Sequence, residues 1–418
     1  MTLGTGAGNA LYRFLFRNGR PGGVMENREA VRLTKRVTAA ILAVSFAYAF
    51  VNSLTSVLVN EIIDAFSLAG AAQGLLSSML SMGLMLALLA TPALQGRIQK
   101  MTMVLLSGLL QAAMLLLSGA APAFAFFAPA IVLLGVGCGW LDTYINSCMV
   151  DVHPTDSPRY LGLLHGVFGI GSLLAPLAIQ WLLLSMRWRG VHFAVAGLTL
   201  LAMLLIALVR RDIRAAGGLA QTQEARLSFR QLGAYLKGGR NLLLLGCGAV
   251  TSMVQTGVLC WIARYMLVEH NAAALGASCL TIFWVAATVN RFLAPRLRVK
   301  PLVMVALGSL LCGLFLLAGI WSGSAAVMCV AVGLVGLASG HFQPMLISEC
   351  AAGYRGNTTL TTSALMIAMG LGRVAVPLVM AAISDAVSMQ AGMSVPVAAA
   401  MLSLLLSLCA LRVQPAAD

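Results

Sequence analysis

Charge is what this sequence has least of. Only 10% of its 418 residues are Asp, Glu, Lys or Arg, whereas soluble domains carry about 25%. So few charges cannot cover a water-facing surface, which excludes an ordinary soluble enzyme. Acids are the scarcer sign, 13 against 27 bases, for a formal charge of +14. That excess does not point to nucleic acid, because the bases sit in short stretches between apolar runs instead of forming one basic face. No G-x4-G-K-[ST] phosphate-binding loop is present, so an ATP-driven pump is excluded and no cofactor is expected. There is no C-x-x-C pair; the nine cysteines are scattered singly through apolar runs and read as small packing residues, not disulfides or metal ligands. Near the N-terminus no cleavable apolar core ends in small residues, so the first apolar run is expected to stay as a membrane anchor.

What the chain does have is long apolar runs, with 60% of residues hydrophobic. A spanning helix needs about 20 such residues, and twelve runs qualify: 37–59, 71–94, 102–121, 127–150, 160–184, 190–209, 242–266, 273–295, 301–321, 325–347, 358–382 and 393–411. Of the 27 Lys and Arg, 22 fall in the termini and the loops on their side, and only Arg187 and Arg189 in loops on the other. The positive-inside bias then places both termini in the cytoplasm of a cell whose plasma (bacterial inner) membrane the chain crosses.

The expected organisation is a cytoplasmic segment 1–36, a six-helix bundle 37–209, a cytoplasmic linker 210–241, a second six-helix bundle 242–411 and a tail 412–418. In the linker, Leu232, Tyr235 and Leu236 share a helical face, with Arg226, Arg230 and Lys237 available for lipid headgroups. An interfacial helix and a solvated connector both fit that pattern.

The halves repeat one another. FGIGSLLAPL (168–177) and MGLGRVAVPL (369–378) share G-x-G-x4-P-L at a separation of 201 residues, and at the same separation GVGCGWLD (135–142) faces GLASGHFQ (336–343). One offset across two spans and the loop between them predicts an all-α membrane protein of twelve transmembrane helices in two pseudo-symmetric six-helix bundles, with a site between the repeats.

Six plus six spans, a long basic central loop and internal duplication resemble the major facilitator superfamily. Within it, GWLDTYIN followed by LGLLHGVFGIGSLLAPL, together with VQTGVLCWIARYM (254–266) and FWVAATVNRFLAPRL (283–297), is similar to the fucose/glucose cation-symporter-like branch. That resemblance implies the major facilitator fold, and it implies a link to coupling ion and sugar for the fourth-span acid and the Asn one turn on, here Asp142 and Asn146. It also implies polar substrate contact at Gln255. Two departures stand out. The branch's first-span acid falls at Ser56, and the superfamily's loop G-x-L-A-D-R-x-G-R-R reads PALQGRIQKM (92–101), with Gly96 at the Asp position and Arg97 and Lys100 kept as gating residues. The G-P-x-x-G-G motif of proton-coupled drug exporters is not found in the fifth span.

The polar residues inside spans carry the functional expectation, because intramembrane ionisable groups face cavities or partners. Asp142 is expected to titrate or bind a cation. His165 lies at a similar depth, roughly 8–12 Å from the cytoplasmic end at 1.5 Å per residue, and joins it as a coupling candidate. Asn146 is expected on the same helical face, whereas Thr143 and Tyr144 point elsewhere and read as packing. Gln343 replaces the acid in the second repeat and offers hydrogen bonds without charge. Trp261 reads as a stacking surface for a sugar ring or as an interfacial anchor. Arg373, at the place of Ser172 in the repeat, lies too deep to snorkel and is expected to pair with an acid or an anionic substrate. Arg264 and Arg291, near span ends, are expected to snorkel.

The function these features support is cation-coupled secondary transport of a small polar solute, with a proton or sodium ion, that solute and membrane lipids as partners. No nucleic acid is expected, and the chain is expected to act as a monomer. Two alternatives stand beside it: export of amphipathic drugs or metabolites, and a non-transporting membrane scaffold or sensor.

Overall fold

The structure is a computed structural model and describes residues 27–67, 72–94, 96–215, 233, 235–353 and 358–413. The N-terminal stretch up to residue 26, linker residues Arg226, Arg230 and Leu232, and the tail from 414 lie outside the described residues, so the interfacial-helix expectation is not addressed for them. The side chain of Ser56 lies outside them too.

The described residues form helices and no strands. Twelve spans follow in order. The first is Asn27–Val57, extended by Val59–Phe66; then come Ala72–Leu94, Lys100–Ala120, Phe124–Val152, Ser157–Leu183 and Trp188–Ala215. The second six are Gly239–His270, Ala273–Leu293, Pro301–Trp321, Ala325–Ser339 continued by Phe342–Ala352, Thr358–Ala386, and Met389–Met393 continued by Val395–Arg412. Ten of these are long and apolar enough, among the described residues, to cross a membrane. Large apolar side chains such as Leu177, Trp181 and Trp321 stand 67%, 70% and 77% exposed, which water would penalise and lipid does not. Several helices outrun their apolar windows: the sixth span, expected to end at 209, continues through the polar residues Arg210–Asp212 to Ala215.

Two compact units divide the chain. One holds spans one to four and six, the fifth from Ile170 onward, and residues 358–360; the other holds Leu161–Gly169 of the fifth span and the remaining helices. The boundary thus runs through the fifth span and does not fall only at the linker.

Within each unit, glycines set the tightest helix crossings. A methyl group on Gly135 would lie 2.2 Å from the Leu80 carbonyl oxygen, and one on Gly336 would lie 2.4 Å from that of Phe283. Only hydrogen fits there, and the fourth span can press on the second as the tenth presses on the eighth. Likewise a methyl on Gly171 would meet the Phe46 carbonyl at 3.0 Å and one on Gly372 the Ala249 carbonyl at 2.1 Å. Partner residues Leu80 and Phe283, and Phe46 and Ala249, keep a constant offset of their own, so the repeat governs packing as well as sequence.

Arg189, one of the two bases on the sparsely charged side, has a structural task. Its Nη1 donates to the carbonyls of Gly119 and Ala121 at 3.1 and 2.6 Å, satisfying the C-terminal end of the third span. The same guanidinium lies 4.7 Å from the Trp188 ring centroid.

Candidate functional site

In the first unit the polar residues line the C-terminal half of the fourth span. Asp142 is half-buried, and Asn146, one turn on and fully buried, donates through Nδ2 to the Asp142 backbone carbonyl at 2.8 Å and to its carboxylate Oδ1 at 2.9 Å. The double grip fixes the carboxylate rotamer and supplies one hydrogen bond to the charged form. Thr143 and Tyr144 are buried as expected, with the Thr143 hydroxyl donating to the Gly139 carbonyl at 2.9 Å.

Further along the same helix lies a cluster that hydropathy alone did not single out. Lys100 Nζ pairs with Asp151 Oδ2 at 2.5 Å and donates to Thr358 Oγ1 at 2.6 Å, while Thr358 donates to Asp151 Oδ1 at 2.8 Å. Ser147 Oγ reaches Thr358 and Thr359 hydroxyls at 3.1 and 2.9 Å. Hydropathy ends this span at residue 150; the helix runs two residues farther, to Val152, and so includes Asp151. The loop sequence now has a physical reason: Gly96 adopts φ +73°, a left-handed conformation that glycine tolerates and aspartate disfavours. Arg97, the other gating candidate, is exposed, and no ion pair reaches it among the described residues.

Where the fourth span ends, His153 is buried against Thr38. Thr38 Oγ1 donates to the Thr34 carbonyl at 2.9 Å, so the imidazole Nε2, 2.8 Å away, carries the proton and donates to Thr38. Burial, helped by nearby Arg159, lowers the pKa of His153 from 6.5 to about 4.

The second unit holds the other candidates. Gln255 Nε2 donates to the Ser339 carbonyl at 2.9 Å, where the tenth span breaks. Gln343, just past the break, turns its amide to the Met366 sulfur at 3.6 Å. Trp261 is half-buried beside exposed Arg264, whose guanidinium lies 6.0 Å from the ring centroid. Arg373 is exposed, and no acid pairs with it among the described residues. His165 is buried at 7% exposure and belongs to this unit, whereas Asp142 belongs to the other.

Arg291 overturns an expectation. Instead of snorkelling, it is 7% exposed and turned inward, donating from Nε to the Gly340 carbonyl at 3.1 Å and from Nη1 to the His165 carbonyl at 3.2 Å. The Trp284 ring centroid lies 5.7 Å away. Gly340 caps the first segment of the tenth span, where unpaired carbonyls concentrate negative charge, so the cation finds partners without reaching the headgroups. Next to it, His341 contacts Asn290 Oδ1 through Nδ1 at 2.8 Å and the Met304 carbonyl through Nε2 at 3.0 Å. Glu349, at the end of the same span, pairs with Arg240. Among the described residues no cluster of three or more His, Cys, Asp or Glu could hold a metal ion.

Comparison with known proteins bears on this arrangement. The sequence profile of the Major Facilitator Superfamily matches residues 41–355. No curated protein sequence matches the chain. Among solved structures, the chain is similar to a Major Facilitator Superfamily transporter, FucP, in the outward conformation, with TM-score 0.73 and 18% identity over 89% of this chain and 98% of that one. A variant of the E.coli fucose:proton symporter FucP gives 0.72 and 18% over the same shares. The human organic anion transporter MFSD10 (TETRAN) gives 0.71 and 17% over 90% and 99%.

Proposed function

Because the chain belongs to the major facilitator superfamily, we propose that it is a secondary active transporter that carries a small polar solute, such as a sugar, across the bacterial inner membrane by alternating access, coupled to a proton or sodium ion. The observation that carries this reading is Asp142: an ionisable side chain within a 29-residue apolar helix, half-buried and held by Asn146. A carboxylate exchanges a cation when its surroundings change between wet and dry, which is what alternating access imposes. Moving one charge through about 100 mV releases about 2.3 kcal/mol, so one titrating group supports roughly fifty-fold accumulation.

In this reading Asp142 is the coupling group, and Asn146 presents it. His165 is a second coupling candidate, while Gln255, Gln343 and Trp261 offer hydrogen bonds and a ring surface to the solute. Arg97 and Lys100 serve the cytoplasmic gate, and both termini are cytoplasmic. The monomer is the transporting unit. The preference for a sugar draws support from the likeness in fold to the fucose:proton symporter.

The test is transport by the purified protein in vesicles under an imposed proton or sodium gradient, using solutes selected by a thermal-shift screen of sugars, organic acids and drugs. Protein-dependent accumulation that collapses with the gradient supports the proposal; binding without flux for every ligand found refutes it and favours the scaffold reading.

Arg373 favours a second reading, transport of an organic anion, since it is an exposed cation within the eleventh span. The fold shared with the human organic anion transporter agrees with that reading. Under it, Arg373→Gln removes binding of carboxylate solutes; under the first, the variant transports its neutral solute at wild-type rates.

A further inference from the structure

The seam between the eighth and tenth spans ends in a feature that transport does not use. Cys329, Gly333, Gly336 and Gly340 recur at steps of four, three and four residues, which is one face of a helix. A methyl on Gly333 would strike Ile282, one on Gly336 the Phe283 carbonyl, and one on Gly340 the Ala287 carbonyl, so the two backbones lie in close contact along this face. Cys279, one turn before Phe283, and Cys329, one turn before Gly333, continue the seam. Their sulfurs stand 2.7 Å apart, with Cys279 0% and Cys329 9% exposed.

That separation narrows the chemistry. Non-bonded heavy atoms rest about 3.5–4.0 Å apart, and two thiolates sharing one tetrahedral metal ion at about 2.3 Å each would stand about 3.8 Å apart. The sulfurs are closer than either arrangement allows, and a movement of under about 1 Å brings them to the disulfide length of about 2.05 Å. We propose that Cys279 and Cys329 form a disulfide that staples the eighth span to the tenth. Both spans lie in the second unit, so the bond fixes a contact inside that unit.

The oxidant is an external disulfide of the oxidised-glutathione class. Cys329, the more exposed thiol, loses its proton and attacks one sulfur of that disulfide, giving a mixed disulfide and one free thiolate. Cys279 then loses its proton and attacks the Cys329 sulfur, forming the Cys279–Cys329 bond and expelling the second thiolate. The two protons end on the two expelled thiolates, and two protein thiols have been oxidised for one disulfide reduced. Cys279 is the seventh residue of its helix and Cys329 the fifth of its own. On the orientation proposed above, both helices begin at the extracytoplasmic face, where disulfides persist.

The experiment uses the full chain in membranes treated with oxidised glutathione. The protein is denatured, its free thiols are blocked with N-ethylmaleimide, and it is then reduced and labelled with a polymer-bearing maleimide. The wild type is expected to carry two more labels than the Cys279→Ser/Cys329→Ser double variant, whose exposed Cys260 and Cys409 report glutathione mixed disulfides alone. Reductant should also lower the unfolding temperature of the wild type and leave the double serine variant unmoved. Equal label counts on the wild type and the double variant overturn the proposal. Chemical oxidation works from either face, so a wrong orientation would be revealed separately, by an extracytoplasmic reporter fused at Asp418.

Discussion

At residues 135–142 the first half reads GVGCGWLD, and 201 residues later the second reads GLASGHFQ. The first glycine of each stretch does the same work, seating its span on a neighbour two spans earlier. The last residue does not: Asp142 presents a carboxylate held by Asn146, whereas Gln343 presents an amide turned to the Met366 sulfur. The pairs at the helix ends diverge as well, Lys100 with Asp151 in the first unit and Arg240 with Glu349 in the second. Close backbone packing tolerates no substituent, so duplication preserves it. A side chain that is not wedged against a neighbouring backbone can change without disturbing the helix that carries it, and there the halves differ.

The sharpest way to break this comparison is to remove the charge from the first half. Asp142→Asn keeps shape and hydrogen bonding but cannot titrate. Gradient-driven accumulation should fall from roughly fifty-fold to equilibrium, while counterflow of unlabelled against labelled solute persists; wild-type accumulation by this variant would make the carboxylate structural. Packing comes next. Gly135→Val and Gly336→Val should each destabilise the protein by about 1–3 kcal/mol through overpacking against a carbonyl, read as matching drops in detergent unfolding temperature. Unequal drops would mean that the repeat does not extend to energetics.

A smaller effect is expected at the amide. Gln343→Ala should weaken solute affinity by up to about tenfold, the worth of one hydrogen bond, without altering the accumulation ratio, as measured by uptake over a range of solute concentrations. A pH effect confined to the first unit comes last. The folded-state pKa of His153 lies below its ordinary value, so the unfolded chain binds the proton more readily. Stability from this group is fully present above pH 6.5 and is lost as pH falls toward about 4. A His153→Gln variant should show a flatter acid limb in thermal unfolding between those values.

Hydropathy located the twelve spans, because a bilayer demands one length and one composition of every helix. Asp142 with Asn146 was equally legible, since a spacing of four puts both side chains on one face. Arg291 was misjudged for a physical reason: proximity to a span end says nothing of whether carbonyls at a helix break are nearer than headgroups. Lys100 with Asp151, and Cys279 with Cys329, join residues 51 and 50 positions apart. No periodicity spans such distances; only the fold makes those residues neighbours. Hydropathy averages over the break at Gly340, although Gly340, His341 and Pro344 mark it within the run 325–347.

His341, which sits at that break, carries a consequence for how a proton would be seen. The Met304 carbonyl can only accept, so the ring nitrogen facing it bears hydrogen. If the ring is neutral, Nδ1 is a lone pair and the Asn290 amide must offer its NH2 there; if the ring is an imidazolium, Nδ1 donates and the amide must present its oxygen. Gain or loss of one proton therefore rotates the Asn290 amide by half a turn. Selective 15N labelling of that asparagine would read the charge of a buried imidazole from the orientation of its neighbour.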